Sequence, residues 1–181
     1  MTGAEFRTMK FTKAALAALM MTVMTGSGQA ATTATATLTI NVTFTQPSCD
    51  IQVPSSYDLG ILTPGKKDHG DLKITWTCEG EQPVKTALTA GIVAGKKDGD
   101  NDNKVRLMAG GQATGATLSL RNKSDSTLIK LTGHQATDYF CSDSSETTGM
   151  RTCTLTPITE VDRNGPFGLA SATLNFAVAY P

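Results

Sequence analysis

The stretch GLASATLNFAVAYP, residues 168–181, alternates apolar with small or polar side chains along its length. Ala170, Ala172, Leu174, Phe176, Val178 and Tyr180 fall on one side of an extended chain, because successive side chains of a β-strand point to opposite faces. The same period of two recurs upstream. Ala36, Leu38, Ile40, Val42 and Phe44 alternate with Thr37, Thr39, Asn41, Thr43 and Thr45, until Pro47 interrupts and the apolar parity moves to Cys49, Ile51 and Val53. Leu72, Ile74, Trp76 and Cys78 share a face opposite Lys73, Thr75, Thr77 and Glu79. Val84, Leu88, Ala90 and Ile92 continue the pattern, as do Ala116, Leu118 and Leu120. No segment shows a convincing 3.6-residue stripe. Turn-forming clusters at Pro64-Gly65, Gly110-Gly111, Gly149 and Asn164-Gly165-Pro166 separate the runs. Short strands at such spacing predict an all-β sandwich.

The other end of the chain reads differently. A short basic start, Met9 to Lys13, precedes an apolar run from Ala14 to Met24 that is too short to span a bilayer. Small residues follow, and Gly28 and Ala30 suit a signal peptidase. Residues 1–30 therefore read as a signal peptide cut after Ala30. They carry three of the 16 basic and one of the 16 acidic residues, so the remaining 151 residues have 13 basic and 15 acidic, a net charge of −2. That balance supplies no electrostatic reason for a nucleic-acid partner or an acidic membrane surface. All four cysteines, Cys49, Cys78, Cys141 and Cys153, follow the signal. An even count behind an export signal implies disulfides in an oxidising compartment. Three pairings exist, and sequence order favours Cys49–Cys78 with Cys141–Cys153. Loop-closure entropy makes each bridge worth about 3–4 kcal/mol.

Catalytic and metal chemistry has little to stand on. There is no C-x-x-C, no His-Glu-x-x-His, no Gly-x-Ser-x-Gly and no glycine-rich phosphate loop. No catalytic residue, metal ligand or cofactor is assigned, and the chain reads as a non-enzyme. His69 and His134 are isolated in polar, Gly-flanked contexts, which is the pattern of surface histidines. Asp98, Asp100 and Asp102 echo the first ligands of a calcium loop. Asn103 stands where its glycine belongs and Ala109 where its last acid belongs, so residues 96–104 read as a solvated hairpin turn.

Both ends of the exported part are uncharged. No charged residue lies between Ala31 and Cys49, and none follows Arg163. Uncharged alternating strands are hazardous at a sheet edge, where unpaired N–H and C=O groups recruit other chains. Either both strands pair inside one domain, or a partner chain supplies or receives a strand by β-augmentation.

Several features in order make the chain resemble the chaperone–usher pilins of Gram-negative bacteria. They are the Thr-rich alternating segment Thr39 to Ser48 leading into Cys49, the pair Leu59-Gly60, and the second cysteine in Ile74 to Cys78. The last is a final strand with penultimate Tyr180 and with Gly168 fourteenth from the end. The resemblance implies an incomplete immunoglobulin-like β-sandwich completed by a donor strand. It implies that Gly168, Ala170, Ala172, Leu174, Phe176, Val178 and Tyr180 form the edge of a groove that a periplasmic chaperone fills during transit, with Pro181 presenting the carboxylate. At the outer-membrane usher the N-terminal extension of a neighbouring pilin subunit replaces the chaperone. Here that extension is residues 31–37, or 31–44 if the alternating stretch contributes, with Ala34, Ala36, Leu38 and Ile40 facing the groove. Residues 38–181 form the pilin domain. The function implied is a structural subunit of a surface fimbria, exported through the periplasm. The alternative is a one-domain tip adhesin that binds a host glycan or protein receptor. The seven residues before Leu38 are short for a donor. The second cysteine pair, which staples a Ser/Thr/Asp-rich loop, is a further departure from the family. That loop reads as a stabilised long hairpin before it reads as a binding surface.

Overall fold

The computed structural model describes residues 38–41, 47–134, 136–163, 166 and 168–181. The chain divides into two units, residues 1–43 and 44–181, each described by itself. The stretch expected to be a signal peptide, residues 1–30, lies outside the described residues, as do Ala34 and Ala36. Of the first unit, residues 38–41 carry no strand, and Leu38 and Ile40 are exposed. The alternating reading of this stretch thus has no strand in residues 38–41. Alternation prepares a segment for a ladder, but the ladder itself needs a partner edge to supply hydrogen bonds.

Among its described residues the second unit holds nine strands: β1 (Cys49–Gln52), β2 (Gly65–Asp68), β3 (Leu72–Cys78), β4 (Ala87–Ala94), β5 (Lys96–Asp98), β6 (Asn101–Ala109), β7 (Gln112–Asn122), β8 (Met150–Val161) and β9 (Thr173–Ala179). Seven of them make one sheet in the order β1-β3-β8-β7-β6-β5, with β2 also paired to β8. The other sheet is β4 against β9, antiparallel, with Leu88 opposite Val178, Ala90 opposite Phe176 and Ile92 opposite Leu174. Its far side is extended by the chain between β7 and β8, through bridges Val84–Thr147, Leu88–Phe140 and Gly91–Thr132. All-β topology, the expected fold class, is what the molecule has.

The period-two readings locate the core. Leu72, Ile74 and Trp76 of β3 are buried, and so are Leu88 and Ala90 of β4, Leu120 of β7, and Cys153 and Leu155 of β8. Ile129, Leu131 and Phe140 join them from the long β7–β8 connection. Each fully buried Leu or Ile contributes about 1.5–3 kcal/mol. The β6–β7 hairpin closes on Gly110-Gly111 with φ of 56° and 82°. Two successive positive φ values define the turn whose twist matches paired strands, and glycine adopts them without a Cβ penalty. Gly91 serves a different need: a Cβ there would stand 2.7 Å from Asn175 Oδ1 and 2.9 Å from the Gly133 Cα, so only glycine lets the connection lie against β4.

Both disulfides pair as sequence order favours. Cys49–Cys78 joins residues that face each other in the β1–β3 ladder. Cys141–Cys153 ties the β7–β8 connection to β8. Beside it lies a buried polar cluster. The Arg151 Nε donates to Asp143 Oδ2 at 2.9 Å, and its two terminal nitrogens donate to the carbonyls of Gly149, Val84 and Thr147. The same Asp143 oxygen accepts from the Thr86 N–H and hydroxyl at 2.9 and 2.8 Å, while Trp76 Nε1 donates to the Thr86 hydroxyl at 2.9 Å. The side chains of Arg151 and Asp143 are only 7% and 13% exposed. Pairing and hydrogen bonding this full offset the desolvation penalty that each buried charge carries. The cluster fastens β3, β4, β8 and the long connection to one another.

Candidate functional site

The last strand is bonded on one side only. β9 pairs with β4 and, among the described residues, no strand pairs with its other edge. Burial reports the same asymmetry. Leu88 and Ala90 on β4 are 0% and 2% exposed, yet their register partners Val178 and Phe176 are only half-buried, as is Leu174. Phe176 packs edge-on against Phe140 at 6.5 Å between ring centroids, so its inner side is in place and its outer side is open.

That open side is a groove of about 650 Å³. Residues Gly168 to Phe176 of the β9 approach form one wall and residues 53–62, which follow β1, form the other. Leu72, Leu107, Ala116, Leu118 and Leu120 lie on its floor. Leu118 is half-buried, whereas its neighbours at the same parity, Ala116 and Leu120, are buried. The wall 53–62 is held by the Tyr57 hydroxyl, which donates to the Gly70 carbonyl at 2.8 Å, and by the Gly60 N–H on Asp58 Oδ1 at 2.8 Å. Among the described residues its main chain makes no backbone hydrogen bond. Such groups need a partner when they are covered. Both walls therefore offer unused main-chain donors and acceptors, and the floor between them is apolar. This combination suits an extended, uncharged segment with alternate apolar side chains.

The residues expected at the groove edge divide into three sets. Gly168, Ala170, Ala172, Leu174 and Phe176 line the groove. The strand itself begins only at Thr173, later than the alternation from Ala170 predicts. Ser171 is held instead by β6, exchanging hydrogen bonds with Met108 at 2.9 and 3.0 Å, which carries residues 170–172 toward the larger sheet. Val178 and Tyr180 lie past the lined stretch, and Pro181 is exposed. The Tyr180 hydroxyl donates to the Pro47 carbonyl and stands 2.8 Å from Cys49 Sγ. Of the four expected donor residues, Leu38 and Ile40 are exposed and unpaired by any strand, and Ala34 and Ala36 lie outside the described residues.

The polar candidates are engaged elsewhere. In the turn that echoes a calcium loop, Asp98 pairs with Arg106 and Asp102 with Lys97. His69 Nε2 lies 2.8 Å from the Thr159 hydroxyl. Burial first, and then the Lys67 charge, hold its pKa below the ordinary imidazole value against the opposing pull of Asp68. Sequence reasoning missed the wall 53–62 and the Arg151–Asp143 cluster. The second had a signal: Arg151 shares the inward parity of Cys153 and Leu155, and a charge at such a position demands a buried partner.

An all-β sandwich with one strand's edge open beside its core defines the class, an incomplete immunoglobulin-like fold. No protein-family model matches the chain. No curated protein matches it either. Solved structures do. The chain is similar to the P pilus rod subunit PapA, with 16% identity and a TM-score of 0.55 over 74% of this chain and 99% of that one. It is similar also to a chain of a chaperone–usher pilus whose structure concerns rod uncoiling, with 18% identity and a TM-score of 0.55 over 88% of this chain and 99% of that one. The fold is that of chaperone–usher pilus subunits.

Proposed function

We propose that the chain is a structural subunit of a surface fimbria, and that the groove beside β9 accepts a β-strand from another chain. The observation that carries this is the half-burial of Phe176 and Val178 against the buried Ala90 and Leu88 of β4, with Leu174 and its partner Ile92 both left half-buried. A strand laid along β9 covers them and the floor at once. Each apolar side chain it buries contributes about 1.5–3 kcal/mol, in addition to the ladder formed with the unpaired walls. In this reading a periplasmic chaperone supplies the strand during export. At the outer-membrane usher the N-terminal extension of a neighbouring subunit then takes its place, and the product is a cell-surface fibre. The chain has no enzymatic role.

A tip adhesin would bind a receptor through loops 96–104 or 141–153. Asp98, Asp102 and Asp143 of these loops are held by Arg106, Lys97 and Arg151, which favours the structural subunit. The reading predicts that the chain, co-expressed with a chaperone of this pathway, is recovered from periplasm as a one-to-one complex. Size exclusion with light scattering checks this. Recovery as a stable, chaperone-free monomer from the same cells counts against it.

A further inference from the structure

Among the described residues, the chain segments that continue the two walls touch beyond the end of β9. Where β9 finishes, the Tyr180 hydroxyl donates to the Pro47 carbonyl beside Cys49, which is bonded to Cys78 of β3. Along β9 the groove lining stops at Phe176, short of this contact. Followed away from it, the walls lead through residues 53–62 on one side and back to Gly168 on the other, and they carry Ile61 and Leu169, 91% and 98% exposed. Beyond the Phe176 end the continuing segments are bridged by the Tyr180–Pro47 contact, whereas at the far end the described lips are bare and apolar.

We infer that the Tyr180 hydroxyl is the end stop of the groove, fixing the register in which an inserted strand comes to rest. The inference rests on the reading of the groove as a strand acceptor. A strand can slip by two residues without changing which side chains face inward, so alternation alone does not choose a register. The segment from Ala34 to Phe44 alternates throughout, so it offers several registers of the same parity. A floor of Leu and Ala side chains discriminates weakly among them, because apolar contact is non-directional. A barrier across the end does discriminate.

The test uses Tyr180→Phe in the exported chain, which keeps the ring and its packing and removes only the hydroxyl. The probe is a peptide of residues 31–46 carrying one photoreactive side chain, with the cross-linked residue located by mass spectrometry. The wild-type protein is expected to give one cross-linking site. Tyr180→Phe is expected to spread it over sites two residues apart, and to raise amide exchange at residues 178–180 about fivefold, the loss of one hydrogen bond. A single site in both proteins, several sites in the wild type, or unchanged exchange overturns the end stop while leaving strand acceptance standing. Binding to neither protein removes the strand-acceptor reading and the end stop with it.

Discussion

Replacing Arg151 with Met is expected to lower the unfolding free energy of the sandwich by about 3–5 kcal/mol, the cost of stranding a buried carboxylate. Asp143 is 13% exposed, and Arg151 is its only cationic partner among the described ion pairs. The substitution also strips donors from the carbonyls of Gly149, Val84 and Thr147. A typical domain has only about 5–15 kcal/mol in hand, so this loss is a large share of the whole. For a domain of this size it corresponds to a midpoint about 10 °C lower. Replacing Asp143 with Asn as well should recover part of the loss, since the amide can still accept from Thr86 and no buried charge remains. Thermal unfolding of the two variants with disulfides intact checks both statements. A fall of less than 2 °C for Arg151→Met would show that Asp143 reaches water and that the cluster is not a fastening.

Replacing Leu118 with Asp has the opposite profile, small for the fold and large for binding. Leu118 is half-buried on the groove floor, so in the free domain a carboxylate there still meets solvent. Under an inserted strand the same carboxylate is enclosed by apolar side chains with no cation beside it. Burial disfavours the charged form, so the peptide of residues 31–46 is expected to bind at least about a hundredfold more weakly at pH 7. The sign with pH follows. The strand-bound state raises the pKa of this carboxyl above its free value, so affinity recovers as the pH falls from that raised value toward the free one. Leu118→Ala, which removes contact without adding charge, should lose only about tenfold and show no such recovery. Equal losses for the two variants, or a pH-independent loss for Leu118→Asp, would place Leu118 away from the bound strand.

How far the sequence could be read follows from which interactions are local. The inward parities of Leu72, Ile74 and Trp76, of Leu88 and Ala90, and of Leu120 all appear in the core, because side-chain alternation is a property of a single strand. The disulfide pairing was legible too, since the nearest cysteines in sequence also meet in space. One side of the groove coincides with a stretch whose alternation is plain in the sequence. Leu174 and Phe176 lie in it as the alternation of the last strand requires. The opposite wall has no such signal, for residues 53–62 have no period at all and are placed by long-range contacts such as Tyr57 to Gly70. The start of β9 escaped for a related reason: the Ser171–Met108 bridge is a tertiary choice that overrides an unbroken alternation. The long β7–β8 connection offers no run of alternation. Its Ile129, Leu131 and Phe140 are nonetheless core residues, held by single contacts to β7, β6 and β4 in turn and not by a ladder of their own.

An open groove is a statement about stability as much as about shape. Side chains that only half-bury contribute less than their full transfer free energy, and a strand that buries them returns the difference to the folded state by mass action. The most direct test is thermal unfolding of residues 31–181, with both disulfides formed, with and without excess peptide of residues 31–46. Net stabilisation of about 3 kcal/mol or more, after the cost of ordering the peptide, raises the midpoint by about 10 °C. The account predicts a low transition that climbs by at least that much. A high, cooperative transition that the peptide leaves unmoved would contradict it and mark the sandwich as already complete.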